Sequence, residues 1–297
     1  MSLWTNIASL VADPPPAYAF EFSEQGIAFA HQAQTGFAAF EPGTLAVSPT
    51  ADNLLRADHA MSVLGKIAPP NGAKRRRPAA VILPDFASRV SVLDFDSFPA
   101  TPAEQLSLVR FRVKKTIPFD IDSAAVSYFV QSGTPGKAKV VGGKGKVEVV
   151  AVTVALEILA RYEALFRGAN FHPGEVTASS LAVLNLCHGQ QVEVIARLTG
   201  RILTVIVTKG GKLKLFRCLP LEDLSVEEIL AVLHPTLSYA EDELGARATK
   251  LLVCGLPASA LQGALRTEVE IEPLRSPIAA LTPQNAGLLG YLEERTN

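Results

Sequence analysis

The sequence predicts a two-lobed α/β protein with a smaller α/β module inserted in its first half. Three observations lead there. Antiparallel hairpin units with tight turns occur twice, at Tyr18–Ala30 and again across "QVEVIARLTGRILTVIVTKGGKLKLFRCLP". Each unit is followed by helical spacing and a further apolar strand. Between them, roughly Ala79 to Phe171, runs an extra strand–helix–strand pattern. Alternation of this kind builds mixed layers around a core.

The bulk numbers are compatible with that class. The 297 residues are 48% hydrophobic and 19% charged, enough to bury a substantial core and to exclude disorder over most of the chain. A net charge of -1 gives no general attraction to nucleic acid or anionic lipid. No apolar run reaches the ~20 residues that cross a bilayer. The richest, "VEVVAVTVALEILARYEALF", is interrupted by Glu157, Arg161 and Glu163. Residues 1–16, "MSLWTNIASLVADPPP", lack a basic start and so do not form a signal peptide. They suit a short amphipathic helix stopped by Pro14–Pro16, a tether or a foot on a membrane. The expected location is cytoplasmic.

Element by element, strands are predicted at Tyr18–Phe22 and Ile27–Ala30, with "GFAAFEPG" extending the meander. "TADNLLRADHAMSVLGKIA" is helical: Leu54, Leu55, Ala57, Met61, Leu64 and Ile67 fall near one face. "PPNGAKRRRP" is a loop whose run Lys74–Arg77 reads as solvated. "AAVILP" is a buried strand and "RVSVLDFDSFP" a half-exposed one. Thr101, Pro102 and Glu104 start the helix "TPAEQLSLVRFRVKKTI". A strand "AVSYFVQS", a glycine–lysine loop, and the strand "VEVVAVTV" follow. "LEILARYEALFRGANF" is a helix with Gly168 near its end. "GEVTASSLAVLNLCHG" starts as a strand and turns helical. After the second hairpin unit, "SVEEILAVLHPTLSYAEDEL" is a helix broken near Pro235. "KLLVCG", "ASALQGALRTEV" and "VEIEPL" close the series as strand, helix and strand.

Several patterns fail chemical tests. "GGKGK" lacks the Ser or Thr of a P-loop, and Lys146 runs into a strand rather than a helix, so it reads as a hairpin loop. Cys187, Cys218 and Cys254 have neither CxxC nor metal spacing, which fits buried thiols. His31, His59, His172, His188 and His234 form no i, i+4 ligand pair. No catalytic residue and no metal ligand is assigned.

The order of elements, and above all "LPDFASRVSVLDFDSFPATPAEQLSLVRFRVKKTIPFDIDSAAVSYFVQ" and "VEVVAVTVALEILARYEALFRGANFHPGEVTASSLAVLNL", resembles the PilM family of type IV pilus assembly proteins. More loosely it resembles the cytoplasmic domain of the type II secretion protein GspL. The resemblance covers roughly Ala17 to Leu289. It implies the actin-like (ribonuclease H-like) fold, with lobes at 17–185 and 186–297 and the inserted module at about 79–171. In that fold two strand–turn–strand units grip nucleotide phosphates through close glycine backbone, and aspartates hold magnesium.

Laid on this chain, the first such motif falls on Glu21 to Ala28. Its Asp has become Glu21, its first Gly Ser23, and its Lys Ala28; Glu24 brings negative charge to the phosphate position, and Gly26 remains. The second falls near Ala196 to Gly200, without acid or first glycine. Arg197 and Arg201 read there as surface arginines. The adenine-side motif keeps one glycine, Gly255. The nucleotide-binding remnant is thus Glu21, Ser23, Gly26, Gly200 and Gly255. The expectation is that ATP and Mg2+ bind weakly or not at all, that hydrolysis is lost, and that no cofactor is used. What the resemblance then implies is a scaffold at the inner membrane that binds the N-terminal peptide of a PilN-like partner and meets other pilus assembly proteins, in a groove with Phe86, Phe98 and Phe111 as aromatic candidates. Two alternatives stay open: a working ATPase or kinase resting on Glu21, and a GspL-like component of type II secretion.

Overall fold

The computed structural model describes residues 16–32, 34–69, 75–131, 146–265 and 269–296. The expected N-terminal helix and most of the glycine–lysine loop lie outside them. The chain begins with β1 (Tyr18–Ser23), β2 (Gly26–His31) and β3 (Gln34–Ala39), then α1 (Ala57–Ile67) and β4 (Arg77–Leu83). The module follows: β5 (Arg89–Phe95), α2 (Pro102–Val113), β6 (Ala124–Val130) and β7 (Val147–Ala155). Next come α3 (Leu156–Gly168), β8 (Phe171–Ala178) and the short α4 (Ser179–Val183). The second half holds β9 (Glu193–Thr199), β10 (Ile202–Lys209), β11 (Lys212–Pro220) and α5 (Val226–Leu244). It ends with β12 (Lys250–Cys254), α6 (Ala258–Leu265), β13 (Glu270–Pro273) and α7 (Ala286–Thr296).

Two five-stranded sheets share one logic. The first is ordered β3-β2-β1-β4-β8 and the second β11-β10-β9-β12-β13. In each, three antiparallel strands lead and two parallel strands follow: β4 and β8 beside β1, β12 and β13 beside β9. The repeated hairpin unit of the sequence is therefore a repeated half-sheet. The module forms a separate antiparallel sheet, β5-β7-β6.

Each sheet has its own apolar packing. Phe20, Phe22, Tyr162, Phe166 and Phe171 meet edge to face under the first sheet. Val194, Val205 and Leu251 face Ile229 and Leu233 of α5 in the second. Phe95, Val109, Val113 and Val149 fill the module. The module also leans on the second lobe. Gln131 donates to the Leu213 carbonyl at 2.8 Å and accepts from its amide at 2.7 Å, while Glu148 pairs with Lys212 at 2.8 Å and with Lys214. Helix α7, although it follows the second sheet, sets Leu288 and Tyr291 on Ala19, Ala28 and Ala80 of the first.

Local chemistry explains the elements and four departures from expectation. The Thr101 hydroxyl accepts from the Glu104 amide and donates to its carboxylate, with Pro102 opening α2 as anticipated. Helix α1 starts at Ala57, later than its apolar spacing suggested. The Asn53 side chain bridges the Ser48 amide and carbonyl, and Leu45 pairs with Leu54, which keeps the preceding residues in a loop. Helix α5 runs through Pro235 without ending there. Ile229, Leu233, Thr236 and Ala240 are buried on both sides of the proline, and that packing outweighs one missing N–H. Arg77 does not belong to a solvated loop. It is buried, donates to the carbonyls of Ala68, Pro69 and Ala169, and lies over the Phe171 ring. Arg197 is not a surface arginine either, for reasons given below.

Two substitutions test this packing. Phe166→Ala should lower unfolding free energy by about 3–5 kcal/mol in urea denaturation. Tyr162→Phe should cost nothing or stabilise by up to about 1 kcal/mol, because the Tyr162 hydroxyl is buried with no hydrogen-bond partner among the described residues.

Candidate functional site

The two sheets bring their first strands face to face, and three charged side chains meet between them. Glu21 stands on β1, the centre of the first sheet. Asp85 follows β4, in a single 3-10 turn, Asp85–Ala87. Arg197 stands on β9, the centre of the second sheet. All three are buried, Glu21 at 1% exposure and Arg197 at 3%.

Their hydrogen bonds form a closed set. Arg197 donates to the Glu21 Oε1 at 2.7 Å and to the Ser179 hydroxyl, and its Nη1 lies 3.7 Å from the Asp85 Oδ2. Its Nε reaches the Pro283 carbonyl at 3.0 Å. Glu21 also accepts from the Ser179 hydroxyl and, at Oε2, from the Leu288 amide at 2.7 Å. Asp85 accepts from the Ser180 amide at 2.6 Å, the Ser180 hydroxyl and the Thr204 hydroxyl at 2.9 Å. Every hydrogen-bond partner named here for the two carboxylates is a donor.

Burial pushes the Glu21 carboxyl above its ordinary value, and Arg197, Ser179 and the Leu288 amide draw it back in part. Burial draws Arg197 down, but Glu21 and Asp85 more than restore it, so the guanidinium stays charged. Burial likewise pushes the thiols up, Cys254 to about 11 and Cys187 to about 12, so both are poor nucleophiles at neutral pH.

The five residues expected to mark a nucleotide-binding remnant fall around this cluster in different ways. Glu21 is at its heart. The Ser23 hydroxyl donates to the Gly26 carbonyl and closes the β1–β2 turn. Gly26 faces β3, where a Cβ would meet the Ala38 carbonyl at 2.2 Å. Gly200, at φ +60°, keeps the left-handed turn of β9–β10, and the Gln25 and Glu24 side chains lie 3.2 and 3.3 Å from where its Cβ would be. Gly255, at φ +73°, lets the Leu198 carbonyl and the Pro283 ring close in. Side chains of one turn thus occupy the space above the other. The cavity left here is about 20 Å3, room for one water and not for a phosphate chain. Glu24 and Arg197 both line it, with Phe86 at its wall. Arg201 is exposed and donates to the Leu221 carbonyl.

A far larger space, about 660 Å3, opens elsewhere. Its walls are β6 and β8, which among the described residues are edge strands of the module sheet and the first sheet. Along β6 the alternate residues Val126, Tyr128 and Val130 pack into the module. Ala125, Ser127 and Phe129 line the groove, with Gln131 beyond them, and Val126 also reaches its wall. Glu175, Val176 and Thr177 line it from β8, Leu181 and Ala182 from α4, and Tyr291 and Glu294 from α7. The Tyr291 hydroxyl and Arg295 hold Glu175 in place.

The three aromatic candidates for a groove do not share a site. Phe86 stacks under Arg89 beside the small cavity. Phe98 packs on Phe95 and Tyr128 inside the module. Phe111 is 69% exposed on α2. Sequence reasoning missed Asp85, Ser179, Ser180, Thr204 and Pro283, which lie far apart along the chain. One signal was present: Glu21 and Arg197 are ionisable residues inside apolar strands buried on both faces. Among the described residues no group of three His, Cys, Asp or Glu side chains is placed to hold a metal ion, and no helix is long and apolar enough to cross a membrane.

The paired half-sheets and inserted module define an actin-like ATPase fold. The chain is similar to the protein of a PilM–PilN type IV pilus biogenesis complex, with TM-score 0.72 and 16% identity over 94% of this chain and 98% of that one. It is also similar to the cytoplasmic domain of EpsL, an inner-membrane component of the type II secretion system of Vibrio cholerae, with TM-score 0.51 and 14% identity over 94% of each chain. At these identities the likeness establishes the fold. No protein-family model matches the chain, and no curated protein matches it in sequence.

Removing Arg197 strands two buried carboxylates. Arg197→Met should cost about 3–5 kcal/mol at pH 8. A carboxyl raised on folding stabilises below its unfolded value and loses that contribution as pH rises through its folded value. Without Arg197 the Glu21 carboxyl moves further up. The deficit against the unsubstituted protein should therefore shrink from pH 8 to pH 5, as read by urea denaturation at both.

Proposed function

We propose that this protein is a PilM-like scaffold of type IV pilus assembly, with a degenerate nucleotide site, that holds an extended segment of an inner-membrane partner in the groove between β6 and β8. The lobes are taken as 17–185 and 186–297, with the module, expected at about 79–171, reduced to β5 through β7 because β4, α3 and β8 pack with the first sheet. The observation that carries the reading is the pair of free strand edges lining one open groove. An extended peptide can add its backbone to such an edge while alternate side chains enter apolar positions such as Phe129, Val152 and Val176. The similarity to a PilM–PilN complex supports a PilN-like N-terminal peptide as that segment.

The interlobe cleft supports the second half of the reading. Glu21, the residue nearest to a metal-holding acid, is committed to Arg197, Ser179 and Leu288. That commits the carboxylate a magnesium site here would draw on, so we infer that hydrolysis and tight MgATP binding are lost and an ATPase or kinase is disfavoured. The protein then reaches the membrane through its partner. A GspL-like role in type II secretion is the second reading, favoured by the likeness to the EpsL cytoplasmic domain. The two differ in the peptide the groove accepts.

The test is a thermal-shift and calorimetric titration with a synthetic PilN-like N-terminal peptide. Binding to the folded state must raise the melting temperature. Phe129→Asp and Val176→Asp should each weaken the peptide at least tenfold. Both positions are exposed, so stability should move by no more than about 0.5 kcal/mol. Unchanged affinity in both variants would remove the groove from the account.

A further inference from the structure

The buried cluster and the open groove share two helices. Ser179 and Ser180 head α4, and their side chains and the Ser180 amide are held by Glu21, Asp85 and Arg197. Two residues further on, Leu181 and Ala182 line the groove. Leu288, near the start of α7, donates its amide to Glu21, and one turn later Tyr291 lines the same groove. The helices touch backbone to backbone. A Cβ on Gly290 would meet the Ala182 carbonyl at 2.1 Å, and one on Gly287 would meet the Ser179 hydroxyl at 2.3 Å and Glu21 at 2.9 Å. Such close packing transmits displacement rather than absorbing it.

The cluster also joins the lobes. Glu21 lies on the first sheet, Asp85 and Ser179–Ser180 follow its strands β4 and β8, and Arg197 and Thr204 lie on the second sheet. We propose that the Glu21–Arg197–Asp85 cluster is an interlobe clasp that holds α4 and α7 in register and thereby sets the shape of the groove, so that Arg197 acts as a positioning residue for the partner without touching it. The part concerning the groove rests on the function proposed above. The part concerning the lobes does not.

Hydrogen exchange of the full chain, followed by mass spectrometry, separates the two. Ser179→Ala and Gly287→Ala loosen the clasp while leaving its three charged groups in place, and Arg197→Met removes its centre. In each variant that folds, segments 179–187 and 286–295 should exchange at least tenfold faster. The module strands β5 and β7 should keep their protection, and Phe129→Asp should leave all four segments unchanged. Unaltered exchange in Ser179→Ala and Gly287→Ala would overturn the clasp, and Ser179→Ala, which removes only a hydroxyl, tests it if the other two do not fold. In the same preparations, peptide affinity should fall at least fivefold in Ser179→Ala. Faster exchange with unchanged peptide affinity would overturn the coupling to the groove. Absence of peptide binding by the unsubstituted protein would instead overturn the proposed partner, while the exchange result still decides the clasp.

Discussion

The structure turns on one guanidinium. Arg197 sits between two carboxylates from the opposite lobe, in a space with almost no solvent. Leaving either side alone there is expensive, because a buried charge without its partner forfeits its hydration and recovers nothing. Ser179, Ser180, Thr204 and the Leu288 amide exist around it as donors that satisfy the carboxylate oxygens left over. With those groups fixed, the relative position of the two central strands, β1 and β9, is fixed as well.

That arrangement changes what the fold can do. In an actin-like protein the facing hairpins are suited to a ligand that both lobes grip. Here the facing positions are bonded to each other, and Glu24 and Gln25 fill the space above Gly200. A large opening lies instead at the seam between the module and the first sheet, where β6 and β8 end their sheets among the described residues. The proposed reading, a holder of peptides rather than a consumer of nucleotide, rests on this contrast between a closed cleft and an open groove.

Much of the fold could be read from local pattern. The doubled hairpin, the capped helix at Thr101 and the alternating strands of the module carry short-range signals, and they fall where periodicity puts them. Where reading failed, a tertiary contact had overridden a local preference. Pro235 suggested a break, but buried residues on both sides carry α5 through it. Arg77 looked solvated within a basic run, yet its strand parity turns it inward onto three carbonyls. The site was half legible. Its degenerate motifs pointed to Glu21 and Gly255, because substitutions in a tight turn have steric meaning on their own. The pairing of Glu21 with Arg197 spans 176 positions, and no local rule encodes which distant partner a buried acid will find. The groove was invisible for a similar reason: a free strand edge is a property of sheet order, which emerges only when β6 and β8 both end their sheets.

The central claim is that the clasp leaves no nucleotide site. The most direct measurement is a calorimetric titration of the full chain with MgATP. The account predicts no saturable heat up to millimolar nucleotide. Saturable binding at micromolar concentration would contradict it, because the lobes would then have to part and release Arg197 from Glu21 to admit the phosphates.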